Sequence, residues 1–228
     1  MRYGFAHRGG APGPDNTLAS FAAALAAGAR GLESDAWVTR DGLVVLDHDG
    51  LGPHPDRRRI RDLERSELPG HIPTLDELYA ACGVDFDLAI DVKAPEIAEA
   101  VVRVAQQYAA TSRLWVVTPD PAYVTGLGAG HRAVTIRGNV LRSRRRRAAF
   151  AAARRAGAEA VNARWPWWTR AIVDEAHALG MRAFGYDAQR RASLDHALRL
   201  GLDGVFSDHV TTMLAAIEAA DRRESSGA

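Results

Sequence analysis

Strand-like and helix-like segments alternate along the whole chain, and this alternation limits the possible folds more than any other feature. Short apolar segments rich in β-branched and aromatic residues are each followed by a longer segment whose apolar residues recur with helical spacing. Such a pattern is typical of parallel strands joined by helical crossovers. The predicted strands are residues 3–7, 31–36, 87–92, 114–118, 133–137, 160–163, 182–186 and 204–207.

The predicted helices follow these strands one by one, at residues 18–27, 75–81, 96–109, 122–127, 144–156, 170–179, 194–200 and 209–220. Eight strand–helix units are the number found in a TIM barrel, and 228 residues are an ordinary length for that fold. A further strand, residues 43–46, follows the turn signal Asp41-Gly42 and is predicted to run antiparallel to its neighbour, outside the barrel. We therefore predict an α/β protein, a TIM (β/α)8 barrel in a single domain over residues 1–228.

Two parts of the chain fall outside the alternation. Residues 50–72 contain Pro53, Pro55 and Pro69 and show no hydrophobic period, so we expect a short, compact cap inserted after the second strand. The polar residues 222–228 are expected to form a flexible tail.

Composition narrows the classes of function. Hydrophobic residues make up 47% and charged residues 25% of the chain, which is typical of a globular protein. A net charge of +1 gives no general attraction to nucleic acid, so no such partner is expected. There is no apolar run of about 20 residues, so no transmembrane segment is predicted. The N-terminus lacks a signal-peptide pattern and the single cysteine, Cys82, can form no disulfide within the chain, so we expect a cytoplasmic protein.

Charged and titratable residues stand at the ends of the first three predicted strands, where the reactive groups of a TIM barrel gather. They are His7 and Arg8 after the first strand, Glu33 and Asp35 on the second, and Asp91 and Lys93 on the third. Residues two apart in a strand point the same way, so Glu33 and Asp35 share one face. Two neighbouring carboxylates require a positive partner, and a metal ion is the simplest one.

A second histidine is predicted to reach the same region. The return arm of the Asp41-Gly42 hairpin ends at Asp47-His48-Asp49, which would carry His48 back towards the carboxylates, opposite His7. Two histidines around an acidic metal site are typical of phosphoryl transfer or hydrolysis.

These residues belong to an ordered set of motifs that resembles the glycerophosphodiester phosphodiesterase family. The motifs are His7-Arg8-Gly9, Pro14-Asp15-Asn16-Thr17, Glu33-x-Asp35, Thr39-x-Asp41-Gly42, His48-Asp49, Ile72-Pro73-Thr74-Leu75-Asp76-Glu77-Leu78, Ile90-Asp91-Val92-Lys93 and Gly201-Leu202-Asp203-Gly204-Val205-Phe206-Ser207-Asp208. No single motif is decisive, but together they span nearly the whole chain. The resemblance implies a phosphoric diester hydrolase of lipid metabolism, which converts glycerophosphodiesters to an alcohol and glycerol 3-phosphate.

The resemblance also implies roles for the site residues. Glu33, Asp35 and Asp91 would bind one divalent cation, and an all-oxygen donor set suits Mg²⁺ or Ca²⁺. His7 and His48 would be the acid–base pair, while Arg8 and Lys93 would hold the phosphoryl oxygens. The assignment of acid and base, and the choice between water and the neighbouring glycerol hydroxyl as nucleophile, stay open. The acid on the third strand, usually Glu in this family, is here Asp91.

Two aromatic residues complete the predicted substrate contacts. Trp165 begins the run Trp165-Pro166-Trp167-Trp168, which either forms an aromatic wall for the leaving alcohol or packs onto a neighbouring helix. Tyr186 stands near the seventh strand end, where the family tends to carry tryptophan. The tryptophan run also leaves open a lysophospholipase D-like activity on single-chain lipids, and a barrel that only binds phosphate esters is a further alternative.

Overall fold

The computed structural model describes residues 2–10, 13–53, 55 and 57–226. The strands are β1 Tyr3–Ala6, β2 Gly31–Val38, β3 Val44–Leu46, β4 Asp87–Asp91, β5 Leu114–Thr118, β6 His131–Thr135, β7 Ala160–Arg164, β8 Arg182–Tyr186 and β9 Gly204–Ser207. All of them except β3 are parallel, and β1 pairs with both β9 and β2, which closes the sheet into a barrel of eight strands. β3 pairs antiparallel with β2, outside the ring. The predicted TIM barrel is therefore confirmed.

Helices surround the closed sheet. They are α1 Leu18–Ala26, α2 Leu75–Cys82, α3 Pro95–Gln107, α4 Gly138–Leu141, α5 Arg146–Arg155, α6 Arg170–Ala178, α7 Arg191–Arg199 and α8 Val210–Ser226. The sequence sets several of the helix starts: Thr17 caps α1 and Thr74 caps α2, and each exchanges hydrogen bonds with the residue three positions later. Within the described part of the chain, no helix combines the length and the apolar character needed to cross a membrane.

Two helix predictions differ from the structure. Residues 122–127 form no α-helix but only a 3₁₀ turn over Pro121–Val124, because Gly126 adopts a left-handed φ of 77° that ends it. Helix α8 continues to Ser226, so the expected flexible tail from residue 222 is helical as far as the structure describes it; residues 227 and 228 lie outside the described part. The extension is anchored by Arg2, which forms ion pairs with Asp221 and Glu224.

Aromatic side chains fill the barrel interior. Phe5, Trp115, Phe184 and Phe206 are buried together with small residues such as Ala89, which leave room for the rings. The rings pack on one another inside the barrel. The ring centroids of Trp115 and Phe184 are 5.0 Å apart, and those of Phe5 and Phe206 are 4.6 Å apart. The interior is therefore a packed core, as expected for a barrel of eight strands.

The inserted segment 50–72 is held by a small apolar cluster of its own. Ile60, Leu63, Leu68 and Ile72 pack with Val45 of the β2–β3 hairpin. The described residues of the segment form two 3₁₀ turns and no α-helix, while residues 54 and 56 lie outside the described part. The segment thus covers the hairpin that carries His48.

Candidate functional site

A cavity of about 240 Å³ lies where the barrel strands end. Most of the predicted site residues line it: His7, Arg8, Glu33, Asp35, His48, Asp91, Lys93 and Tyr186. They come from β1, β2, β4 and β8 and from the segment after β3. The fold therefore brings the predicted site residues, with the exception of Trp165, to one cavity.

The turn after β1 places His7 and Arg8 over Glu33. Arg8 adopts a left-handed φ of 51°, which costs a non-glycine residue roughly 1–2 kcal/mol. In this conformation its backbone N–H donates a hydrogen bond to Glu33 Oε2 at 3.0 Å. The next residue must be glycine, because Gly9 has a φ of 88° and a Cβ there would lie 2.3 Å from Ser20 Oγ. The His-Arg-Gly motif is therefore a requirement of the backbone as well as of the chemistry.

A carboxylate fixes the ring of His7. His7 Nδ1 lies 2.6 Å from Asp208 Oδ1, and an ionised carboxylate only accepts, so Nδ1 carries the hydrogen of this contact. His7 Nε2 then faces Glu33, 3.8 Å from Oε2. The ring is held with Nε2 as the nitrogen available for proton transfer.

His48 has the same kind of partner. Its Nδ1 lies 2.8 Å from Asp49 Oδ1, and this hydrogen bond lowers the pKa of the Asp49 carboxyl. The turn that carries His48 is held by Trp37, whose indole N–H donates a hydrogen bond to the carbonyl oxygen of Asp47 at 2.8 Å. In both histidines a carboxylate therefore engages Nδ1 and leaves Nε2 without that contact.

Three carboxylates form one wall of the cavity. Glu33 and Asp35 share a face of β2 and are 8% and 5% exposed, and Asp35 is in register with Asp91 on β4. Ser34, between them, points outwards and donates to Asn16 Oδ1 at 2.7 Å. Burial, with smaller contributions from Asp35 and Asp91, raises the pKa of Glu33 to about 7 against the opposing effect of His7.

The ammonium group of Lys93 lies between two of these carboxylates. Nζ donates to Asp35 Oδ1 at 3.1 Å and also to Asp91 Oδ2. Burial lowers the pKa of Lys93, but Asp91 and Asp35 outweigh burial, and the net shift is upwards. The pKa of Asp91 is raised by its own burial, although Lys93 opposes the shift. Lys93 is thus held in the acidic wall by its two partners.

The donor chemistry of this wall fits a divalent cation. Three carboxylates offer only oxygen ligands, which suit a hard ion, and Asp91 Oδ1 is buried with no hydrogen-bond partner among the described residues. However, no three acidic, histidine or cysteine side chains in the described ranges converge as a finished coordination shell. The single positive charge of the Lys93 ammonium balances only part of the charge of Asp35 and Asp91, so the wall keeps negative charge that a cation can balance.

Arg8 and Tyr186 face the cavity from other sides. Arg8 Nη1 donates to Asp15 Oδ2 at 3.1 Å, whereas its buried Nε has no hydrogen-bond partner among the described residues and lies 3.9 Å from Asp35 Oδ2. An open guanidinium donor is suited to an anionic oxygen. Tyr186 is the last residue of β8, and burial raises the pKa of its hydroxyl.

Trp165 does not line the cavity, unlike the other predicted substrate contacts. Its ring lies 5.9 Å from the ring of His196 on α7, edge to face. Trp168 donates its indole N–H to the carbonyl oxygen of Phe184 at 3.1 Å, and Trp167 packs so closely on Gly138 that a Cβ there would lie 2.3 Å from its indole. The tryptophan run therefore packs against the outer elements of the barrel, which was the second interpretation of this loop.

The structure adds residues that the sequence did not single out, one beside His7 and others at the cavity. Asp208 was quoted only as part of a shared motif, although its position directly after the last strand was a usable signal. Thr135 and Asn162 also line the cavity, as do Val117 and Phe206. An asparagine between small apolar residues of a barrel strand is unusual, and that alone could have singled out Asn162.

The chain is similar to known proteins in sequence and in fold. The sequence model of the "Glycerophosphoryl diester phosphodiesterase family" matches residues 7–212. The chain is 34% identical over 126 residues to "Probable glycerophosphodiester phosphodiesterase 2" of Mycobacterium tuberculosis, a match that covers 50% of this chain and 47% of that protein. The chain thus spans about half the length of the curated relatives it matches, 47% and 52% of the two.

Solved structures resemble this one over almost their full length. The glycerophosphodiester phosphodiesterase of Thermotoga maritima superimposes with a TM-score of 0.81 at 22% identity, covering 94% of this chain and 98% of that chain. A phosphodiesterase of Oleispira antarctica, in complex with its product sn-glycerol-3-phosphate, gives a TM-score of 0.81 at 20% identity over 96% of this chain and 97% of that chain. At such low identities these two likenesses concern the fold.

Proposed function

Because the chain belongs to the glycerophosphoryl diester phosphodiesterase family, we propose that it hydrolyses glycerophosphodiesters to an alcohol and glycerol 3-phosphate, using a divalent cation and two histidines. The observation that carries this proposal is the meeting of two histidines, three carboxylates and two cationic side chains at one cavity. The product bound by the Oleispira antarctica protein supports the same class of substrate.

The charged wall accounts for substrate binding. Glu33, Asp35 and Asp91 would hold Mg²⁺ or Ca²⁺, which when bound would polarise a phosphate oxygen. The open Nε of Arg8 and the ammonium of Lys93 would hold the remaining phosphoryl oxygens. A phosphodiester carries one negative charge, which Arg8 and Lys93, both close to Asp35, would attract to this part of the cavity.

The two histidines account for proton transfer. One Nε2 would take the proton of the nucleophile, water or the adjacent glycerol hydroxyl, while the other would donate a proton to the leaving alcohol as its bond to phosphorus breaks. If the glycerol hydroxyl attacks, water would then open the resulting cyclic phosphate to give glycerol 3-phosphate. Imidazole suits either task because its ordinary pKa of about 6.5 lies near neutrality. Asp208 and Asp49 would keep each ring in the tautomer that this requires.

The direct test is turnover of glycerophosphocholine by the purified protein. Release of choline together with glycerol 3-phosphate, lost in chelator and restored by Mg²⁺ or Ca²⁺, is the expected result. Titration of each ion separately identifies the one that supports turnover. Hydrolysis of lysophosphatidylcholine alone would favour the lysophospholipase D-like alternative. Binding of glycerol 3-phosphate without turnover of either substrate in any divalent ion would favour the barrel that only binds phosphate esters.

The proposal includes a cytoplasmic location, supported by a half-buried thiol that has no disulfide partner. Cell fractionation tests it: we expect the activity with a cytoplasmic marker, and activity outside the cytoplasm would contradict this part of the proposal.

The Lys93→Arg variant is expected to lose activity although it keeps the charge. Lys93 fits between Asp35 and Asp91 as a compact ammonium, whereas a planar guanidinium is wider and would displace the phosphate. Because small displacements of reacting groups are costly, we expect kcat to fall roughly 10²-fold. Steady-state kinetics and a melting curve check this, with Arg40→Lys, at an exposed pair with Glu64, as the control. Full activity at unchanged stability would mean that any cation serves.

The Asp208→Asn variant tests whether Asp208 positions His7. Asparagine keeps the size of the side chain, but its amide can donate to Nδ1 and so favour the wrong tautomer. We expect kcat to fall by up to roughly 10⁴-fold, the cost of the wrong tautomer in a catalytic histidine, while KM and divalent-ion affinity stay near the parent values. Equal losses in ion affinity and kcat would instead indicate a general disturbance of the site.

A further inference from the structure

A pair of uncharged polar residues faces the cavity from β6 and β7. Thr135 and Asn162 are in register on these neighbouring strands, and Asn162 Nδ2 donates to Thr135 Oγ1 at 3.2 Å. Asn162 is only 7% exposed, and its Oδ1 is buried without a hydrogen-bond partner among the described residues. One polar atom of a cavity-lining residue is therefore buried and unpaired.

An open amide oxygen in this position requires an explanation. Burial without a partner costs free energy, and few buried polar groups in folded proteins are left in this state. Val117 and Phe206, which also line the cavity, offer no side-chain donor. The barrel itself does not need the amide, because the adjoining strand positions are filled by apolar residues. The open oxygen is thus best explained by a ligand that donates a hydrogen bond.

The pair lies across the barrel from the charged wall. Glu33, Asp35 and Asp91 belong to β2 and β4, whereas Thr135 and Asn162 belong to β6 and β7, on the far side of the closed ring. A ligand that spans the cavity therefore meets charge at one end and neutral hydrogen-bonding groups at the other. An anionic ester with a hydroxyl group a few bonds away matches both ends.

We infer that Asn162 and Thr135 form a subsite for a free hydroxyl of the polyol part of the substrate. The inference rests on the proposed function and deepens it, since it concerns the same cavity. A hydroxyl can donate to Asn162 Oδ1 and accept from Thr135 Oγ1, so it satisfies both residues at once. A diester without a hydroxyl leaves the amide unpaired when it binds, and the site discriminates against it.

The test compares kcat/KM for glycerophosphocholine with that for bis(4-nitrophenyl) phosphate, which has no hydroxyl. In Asn162→Ala the ratio of the two is expected to fall about tenfold, the usual worth of one neutral hydrogen bond. Thr135→Val, which removes only the hydroxyl, is expected to lower the ratio in the same direction, and Thr135→Ser, which keeps it, is the matched control. Melting curves establish that each variant is folded.

Glycerophosphoinositol identifies the source of the hydroxyl. Equal losses for glycerophosphocholine and glycerophosphoinositol assign it to the glycerol half, which both share, while a loss confined to glycerophosphoinositol assigns it to the leaving alcohol. The subsite would be overturned if, in both Asn162→Ala and Thr135→Val, kcat/KM relative to bis(4-nitrophenyl) phosphate stayed unchanged for glycerophosphocholine and for glycerophosphoinositol. If the parent turns over no glycerophosphodiester, the proposed function fails, and calorimetry then decides the subsite separately. The subsite is supported if the parent binds glycerol 3-phosphate more tightly than inorganic phosphate and Asn162→Ala loses this preference. It is overturned if the parent shows no such preference.

Discussion

Replacing Glu33 with glutamine is expected to abolish divalent-ion binding and hydrolysis together. Glutamine keeps the shape and can still accept from the backbone N–H of Arg8, but it removes one of the three negative charges on the wall. The remaining carboxylates, Asp35 and Asp91, share the single positive charge of Lys93, so they offer a cation less negative charge than the complete wall does. Calorimetric titration with Mg²⁺ and Ca²⁺, run beside the glycerophosphocholine assay, measures both losses.

In the presence of chelator, Glu33→Gln is also expected to differ from the parent in how its stability depends on pH, and this difference can be measured without turnover. The folded-state pKa of Glu33, about 7, lies above its ordinary value of 4.5, so the folded form holds this proton more tightly than the unfolded chain does. The stability that comes from this proton is lost as the pH rises from 4.5 to 7, a loss on the order of 3 kcal/mol. Glu33→Gln has no such group and is expected to melt with less dependence on pH.

The control for this experiment is Glu64→Gln at an exposed ion pair with Arg40, which is expected to bind the ion like the parent. Unchanged Mg²⁺ and Ca²⁺ affinity in Glu33→Gln would remove Glu33 from the proposed ligands.

Replacing either His7 or His48 with alanine is expected to lower kcat by about 10²- to 10⁴-fold, the usual contribution of a general acid or base. Stability should change little, because the two side chains are 31% and 49% exposed and lie outside the apolar core. Single-turnover kinetics of each variant on glycerophosphocholine checks the loss in the chemical step.

His177 provides a matched control for these variants. It also pairs with a carboxylate, Nε2 to Asp203 Oδ2 at 2.7 Å, but Asp203 lies just before β9, at the end of the barrel away from the cavity. His177→Ala is therefore expected to turn over substrate like the parent. Near-normal turnover by His48→Ala would show that the hairpin does not bring His48 to the reacting phosphate.

The barrel could be predicted because its signals are local. Each strand and helix can be predicted from a few neighbouring residues, and eight strand–helix units then leave little choice of fold. The length of α8 could not be predicted this way. Its last turns are held by Arg2, more than 200 positions earlier in the chain, through Asp221 and Glu224. Contacts of that kind exist only once the barrel has closed.

The same distinction between local and long-range contacts applies to the site residues. Glu33 with Asp35, and Asp91 with Lys93, could be predicted because the two-residue period of a strand fixes the direction of both members. The bond between His7 and Asp208 joins β1 to the end of β9, so it follows from ring closure and not from local pattern. The direction of the Trp165 ring likewise depends on α7, and a tryptophan-rich loop alone does not reveal which side it faces.

The aromatic core of the barrel determines how reactants move. Phe5, Trp115 and Phe184 fill the interior beneath the cavity, so the cavity is closed at its base. Under the proposed function, substrate and products would therefore share one opening. If the glycerol half occupies the subsite of Asn162, glycerol 3-phosphate would contact both that subsite and the charged wall, and we expect it to leave after the alcohol. Glycerol 3-phosphate then competes with each incoming diester for the same place. The enzyme would therefore slow whenever the reactions that consume its product fall behind, without any separate regulatory site.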